Sequence, residues 1–270
     1  MGEKVATAPV ERLYTAAYIQ HVPMETRAAV AEWNAGSVMV WTGTQQPGRV
    51  HSELAAAFQL KADQVRVIVP DAGGGFGGKH TGEVAVEAAR LAQAVARPVC
   101  LQWSREEEFT WAYFRPAARI EVTAKLDANQ RIGNWQFTNY NAGTSALQCP
   151  YRTASGQTQF VPTDSPLRQG SYRALASTVN TFARESMMDE LALEAQQDPL
   201  AFRLKHLDNG RLRDVLVALS DRCQWTDRKQ AARQAGRGMG LACGTEKGSF
   251  VAAYAEVEVR DGEFRVLSIC

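Results

Sequence analysis

Charge of one sign is missing from this 270-residue chain: 30 Lys and Arg stand against 29 Asp and Glu, a formal net charge of +1. A protein that grips nucleic acid by neutralising phosphates needs a clear surplus of cations, so a general nucleic-acid binder is excluded. Long apolar runs are missing too, and no stretch reaches the roughly 20 residues of a membrane-crossing helix. Cysteine is sparse and scattered. Cys100, Cys149, Cys223, Cys243 and Cys270 are odd in number, and no two stand at the short spacing of a zinc or iron–sulfur site. They are expected to be mostly buried thiols of a reduced protein. The opening residues, MGEKVATAPVERLY, lack the apolar core of a secretory signal. There is no internal repeat and no low-complexity tract. What remains is ordinary: 45% hydrophobic and 22% charged residues suit one large globular domain or two modest ones.

Strand and helix signals alternate irregularly, which predicts an α+β fold of mixed sheets with helices packed on them. Strands are expected at Ser37–Thr42, Val65–Val69 and Val99–Trp103, and a hairpin at Ile120–Leu126 and Ile132–Tyr140 around Asp127-Ala128-Asn129. A helix is expected over Glu53–Leu60. Another runs over Gly82–Ala96, with Val84, Ala88, Leu91 and Val95 on its inner face. Residues 141–172 read as a long irregular segment. A helix follows over Thr178–Gln197, with Phe182, Met188, Leu191 and Ala195 facing the core. Asp198-Pro199 then supplies a cap and a first-turn proline for Leu200–Leu207. Glu106-Glu107-Glu108 is expected to be the solvated start of a helix, and His51 and His206 ordinary surface residues. Past Asp227–Arg237, a polar basic stretch, Asp261-Gly262 marks a hairpin whose return strand runs into Cys270. Such an ending fits either a buried terminal strand or a piece of a longer polypeptide.

The densest signal is Asp71-Ala72-Gly73-Gly74-Gly75-Phe76-Gly77-Gly78-Lys79-His80, between a strand and a helix. Without Cβ atoms in the way, backbone N–H groups can converge on an anion or an oxo group, and a helix amino terminus adds partial positive charge. A simple tight turn needs one or two glycines rather than five. Gly73-x-Gly75-x-x-Gly78 matches the dinucleotide pattern, yet no acidic residue ends the next strand, where Val99-Cys100-Leu101-Gln102 stands. Gly73 to Lys79 also matches most of a P-loop, but His80 stands where Ser or Thr should hold magnesium.

The fuller string Gly-Gly-Gly-Phe-Gly-Gly-Lys resembles the large, molybdenum-binding subunit of the xanthine dehydrogenase and aldehyde oxidase family of molybdenum hydroxylases. Other segments agree in order: His21-x-Pro23-Met24-Glu25, Thr44-Gln45-x-Pro47, Ser171-Tyr172-Arg173-Ala174, Glu185 to Ala192 and Asp198 to Arg203. The wording is most like bacterial isoquinoline-oxidoreductase-like and aldehyde-dehydrogenase-like beta subunits, from about Tyr18 to the end.

The resemblance implies a molybdenum-pterin cofactor, in its cytosine dinucleotide form in bacteria, and hydroxylation of a small-molecule substrate with water as the oxygen source. It implies cofactor contacts at Gln45, Gly74, Gly75, Phe76, Gly77, Gly78 and Arg173. Gln45 would offer an uncharged donor to an oxo ligand, and Arg173 a fixed cation beside the dithiolene. His80 and Leu175 fall at substrate positions. They replace a glutamate and an aromatic of the purine-oxidising branch, so aldehydes or aromatic N-heterocycles are expected rather than purines. By resemblance, residues 1–210 are the incomplete first half of the cofactor-binding domain, and 211–270 a linker and the start of the next α+β segment. The catalytic glutamate is expected beyond Cys270, in the remainder of the large subunit, and the iron–sulfur clusters on a separate small subunit. Relatives work in the cytoplasm or the periplasm, and the sequence does not choose between them. The alternatives are a P-loop-like nucleotide binder using Gly73–Lys79 and a non-catalytic remnant.

Overall fold

The computed structural model describes residues 8–270, so the first seven residues of the stretch read for a secretory signal lie outside it. The chain divides into two compact units.

One unit comprises Ala17–Ala117 and Asp164–Leu175. Its strands are β2 (Ala28–Asn34), β3 (Ser37–Thr42), β4 (Val65–Ile68) and β5 (Val99–Gln102), in the order β4-β3-β2-β5. Ala29, Ala31, Val38 and Val40 alternate inward and are buried. Onto them packs helix α2 (Glu83–Val95), through a stripe of Val84, Ala85, Ala88, Ala89 and Ala92. Small side chains let this helix lie close to the sheet. Leu91 and Val95, expected on the inner face, therefore stand on its rim, 43% and 55% exposed. The expected helix at Glu53 begins earlier, as α1 (Pro47–Phe58), because Pro47 is already set for a first helical turn. Helix α3 (Arg105–Trp111) opens with a capping box, Ser104 Oγ accepting from Glu107 N and Glu107 Oε2 from Ser104 N. Only Glu106 and Glu107 are solvated there. Glu108 is buried and paired with Arg27, which corrects the expectation of three solvated glutamates.

The other unit holds the described residues up to Ala16, with Ala118–Thr163 and Ala176–Cys270. Strands β1 (Val10–Ala16), β6 (Ala118–Leu126), β7 (Ile132–Tyr140) and β8 (Gly156–Val161) form a sheet in the order β1-β6-β7-β8, with β8 parallel to β7 and the rest antiparallel. Strand β8 lies inside the segment expected to be irregular. It is a half-exposed edge strand, so its residues carry little alternation. Helix α4 (Ser177–Glu194) covers the sheet with Val179, Ala183, Met187, Met188 and Leu191. Phe182 is not among them: it is 54% exposed and meets the Tyr14 ring edge-on, 5.7 Å between centroids. Asp198 caps helix α5 (Pro199–His206) as expected, Oδ1 accepting from Leu200 N and Ala201 N. Helices α6 (Arg211–Cys223) and α7 (Trp225–Gln234) precede a sheet in the order β11-β10-β9, built from β9 (Arg237–Glu246), β10 (Ser249–Arg260) and β11 (Glu263–Ile269).

Two further expectations, on His206 and on the cysteines, are corrected. His206 is buried; its Nε2 accepts from Ile132 N at 3.1 Å while Nδ1 donates to Phe202 O at 2.8 Å. The last strand is not buried, since Phe264 and Ile269 are 75% and 70% exposed. Of the cysteines, Cys223 and Cys243 are buried, Cys149 is half-buried, and Cys100 and Cys270 are exposed. Both units mix helices with sheets, which makes the fold α+β.

Candidate functional site

The glycine loop lies wholly within the unit built on β2–β5, between β4 and α2. Most of its backbone groups are spent on the protein itself. Gly73 N–H donates to Glu25 Oε2 at 3.0 Å, and Gly73 C=O accepts from Glu25 N at 3.2 Å. Gly75 O accepts from Gly78 N at 2.7 Å, and Phe76 O accepts from Arg173 N at 2.9 Å. Gly77 N and Lys79 N both donate to Gln45 Oε1, at 3.0 and 3.3 Å. Gly77 O accepts from the Tyr113 hydroxyl, and Gly78 O from Arg27 Nη2. Lys79 O accepts from Gln45 N at 2.9 Å and Thr44 Oγ1 at 3.0 Å.

Three consecutive donors are left over. The N–H groups of Gly74, Gly75 and Phe76 have no partner among the described residues. Gly74 and Phe76 have φ of 99° and 53°, flanking Gly75, which is not left-handed. Such alternation is the backbone pattern of anion-binding nests. A left-handed Phe costs on the order of 1 kcal/mol, and strain of this kind collects where a loop is held for use. The Phe76 ring is 49% exposed.

The glycines are also required by what lies against them. A Cβ on Gly75 would stand 2.5 Å from Gln45 Oε1, and one on Gly78 would stand 2.7 Å from His21 Cγ. His21 is buried under the loop, its Nε2 donating to Ser171 O at 2.7 Å and its ring near Tyr113 and Tyr172, at 5.4 and 4.9 Å between centroids. Burial holds its imidazole below the usual histidine range. Below the loop, Arg27 and Glu108 form a buried ion pair, Nη1 to Oε2 at 2.5 Å, with Trp103 against the guanidinium.

Gln45, Gly74 to Gly78 and the Arg173 backbone, all singled out from sequence, are thus brought together. With Oε1 fixed by two backbone donors, the Nε2 end of Gln45 has no partner among the described residues. Arg173 is exposed, and its guanidinium likewise has none. His80 is half-buried, its N–H donating to the Tyr113 hydroxyl at 3.4 Å. Burial, with the Arg49 charge, holds its imidazole low. Leu175 makes no hydrogen bond to the loop among the described residues; its N–H donates to Tyr172 O at 2.6 Å. Sequence reasoning missed Tyr113, which carries no local motif and reaches the loop only through its hydroxyl. Glu25 and His21 did have a signal, in the segment His21 to Glu25.

Both nucleotide readings are overturned. Lys79, which a P-loop needs at the phosphates, is buried and its Nζ pairs with Glu25 Oε2 at 2.6 Å. The following helix opens only at Glu83 rather than at the lysine. Strands β4 and β5 lie at opposite edges of the sheet, so the loop does not join neighbouring strands as a dinucleotide fingerprint requires.

Comparison with known proteins agrees with the loop. The family described as Molybdopterin cofactor-binding domain matches residues 2–207. A nicotinate dehydrogenase subunit of Pseudomonas putida is 32% identical over 244 residues, 82% of this chain and 21% of that protein. The aldehyde oxidoreductase molybdenum-binding subunit PaoC of Escherichia coli is 28% identical over 273 residues, 97% of this chain and 36% of that protein. The crystal structure of quinoline 2-oxidoreductase from Pseudomonas putida 86 has a TM-score of 0.76 at 22% identity, covering 90% of this chain and 36% of that one, a likeness of fold. The chain thus spans roughly a fifth to a third of the length of these relatives. A glycine loop with three unspent donors, a fixed amide beside it and a match over most of the sequence identify the chain as a member of the molybdopterin cofactor-binding domain family.

Proposed function

We propose that this chain supplies part of the cofactor site of a molybdenum hydroxylase, an oxidoreductase acting on an aldehyde or an aromatic N-heterocycle with water as the oxygen source. The observation that carries this is the unspent N–H series of Gly74, Gly75 and Phe76 beside the fixed amide of Gln45. The residues suit the group: oxo and dithiolene ligands offer acceptors and negative charge, and the loop offers donors beside an unpaired guanidinium on Arg173. When bound, the molybdenum-pterin supplies the redox centre at which the substrate carbon is hydroxylated. Gln45 presents Nε2 as a neutral donor, because Gly77 and Lys79 hold its oxygen. Gly74 to Gly78 let the backbone approach without side chains, and Arg173 balances charge at the pterin. His80 and Leu175 border the substrate, with His80 neutral at pH 7 and able to donate or accept a hydrogen bond.

The names of the relatives, covering nicotinate, quinoline and aldehydes, support the substrate classes. We assign the cytosine dinucleotide form of the pterin, an iron–sulfur small subunit as electron partner, and the catalytic glutamate to further polypeptide of the large subunit. We divide the chain at about residue 210, near the end of the family match at 207. Metal analysis and dye-linked aldehyde oxidation test this. The 270-residue chain by itself should show no turnover, and its complex with those polypeptides should hold molybdenum and oxidise aldehyde. Full turnover by the isolated chain, or a complete complex without molybdenum, would overturn the proposal.

A further inference from the structure

Lys79 is left without a task once nucleotide binding is set aside, yet it is a charged side chain almost entirely removed from water. A buried ammonium needs a close counter-charge. It has one carboxylate partner among the described residues, Glu25, whose Oε2 lies 2.6 Å from Nζ. The same oxygen accepts from Gly73 N at 3.0 Å, and Glu25 N donates to Gly73 O at 3.2 Å. Gly73 precedes the three unspent N–H groups. Lys79 follows them, with its own N–H and C=O held by Gln45. A single carboxylate oxygen therefore ties the near end of the loop to the far end, across the segment that presents its donors.

We propose that Glu25, with Lys79 as its counter-charge, is the positioning residue of the glycine loop. It fixes the separation of Gly73 and Lys79 and so sets the register of the Gly74, Gly75 and Phe76 N–H groups and of Gln45. Two glycines lie against the clamp: a Cβ on Gly73 would meet Glu25 Cβ at 2.6 Å, and one on Gly43 would meet Glu25 Oε2 at 3.2 Å. The sequence motif ending in lysine thereby has an inward function, opposite to that of a phosphate-binding lysine. What the loop receives rests on the proposed cofactor role; how the loop is held does not.

Amide hydrogen exchange on the 270-residue chain without cofactor tests the clamp, in wild type, Glu25→Gln, Lys79→Met and the double variant. The informative amides are Gly77, Gly78 and Lys79, which are hydrogen-bonded but whose N–H groups do not bond to Glu25. Losing a charge-assisted hydrogen bond should speed their exchange by about tenfold or more in Glu25→Gln. The double variant, which leaves no unpaired buried charge, should exchange more slowly than Glu25→Gln. The side-chain amide resonance of Gln45 should shift in Glu25→Gln and move back toward its wild-type position in the double variant. Exchange at Gly77 to Lys79 unchanged in Glu25→Gln, or faster by the same factor in β2 and β3, would overturn the clamp. Molybdenum content of the assembled complex is a separate readout: normal exchange effects with no molybdenum in wild type would sink the cofactor role and leave the clamp standing.

Discussion

At the scale of single residues, Gly75 and Gly77 separate two reasons for a glycine. At Gly75 an added Cβ meets the end of a long side chain, Gln45 Oε1, which can swing away. Gly75→Ala is therefore expected to displace the Gln45 amide, seen as loss of its resonance position, and to give up the hydrogen bonds that its Oε1 accepts from Gly77 and Lys79. At Gly77 the added Cβ would lie 2.9 Å from the backbone oxygen of Ser171, at a φ of 94°. Gly77→Ala should cost about 1–3 kcal/mol of stability, read from denaturant unfolding. A Gly75→Ala variant that leaves the Gln45 resonance in place, or a Gly77→Ala variant as stable as wild type, would contradict this division. The loop was legible in the sequence because five glycines in six positions are a rare string, and Gln45 only through the family resemblance of Thr44-Gln45-x-Pro47. Tyr113, Arg27 and Glu108 were not. Their roles come from distant chain segments meeting under the loop, and a run of three glutamates reads as surface until one of them finds a buried arginine.

At the scale of elements, two buried polar contacts hold structure together and can be tested by charge and by pH. Arg27 and Glu108 tie the start of β2 to α3, and Arg27 also donates to Gly78 O. Glu108→Ala leaves a buried guanidinium unpaired and should destabilise by about 3–5 kcal/mol, measured by denaturant unfolding. His206 at the end of α5 must be neutral, since its Nε2 accepts from Ile132 N at the start of β7. Burial lowers its pKa, as it does for His21, from an ordinary value near 6.5. A group with a depressed folded-state pKa contributes its stability above the unfolded value. The unfolded chain takes up the proton first as pH falls, so stability should drop below about pH 6.5. His206→Gln should flatten that drop relative to wild type; an unchanged slope in the variant would exclude His206 as a source. Helix and strand periodicity revealed most of these elements. It failed where the pattern is weak for a physical reason: β8 is a polar edge strand, α2 packs through alanines rather than its larger residues, and Phe182 leans on Tyr14 instead of entering the core.

At the scale of the whole molecule, residues with unlike sequence signals serve one loop. Glu25 and Lys79 hold its ends, Gln45 and Tyr113 grip Gly77 from its N–H and C=O sides, and His21 supports it from below. What this assembly leaves without a partner among the described residues is a small set of donors, three backbone N–H groups and one amide, with the Arg173 guanidinium following in the chain. The fold class and the cofactor family were both legible in the amino-acid order, because long helices and hairpins carry strong periodicity and the loop carries a specific string. The parallel strand within the long segment after β7 was not, nor was the inward turn of Lys79. The decisive measurement is molybdenum per chain in the complex proposed above, with further large-subunit polypeptide and an iron–sulfur subunit supplied, purified from cells that make the pterin. Wild type should retain molybdenum, and Gln45→Ala should retain less by about 10-fold or more at matched expression and folding. Molybdenum absent from the wild-type complex, or equal in wild type and Gln45→Ala, would contradict the assignment of this loop to the cofactor.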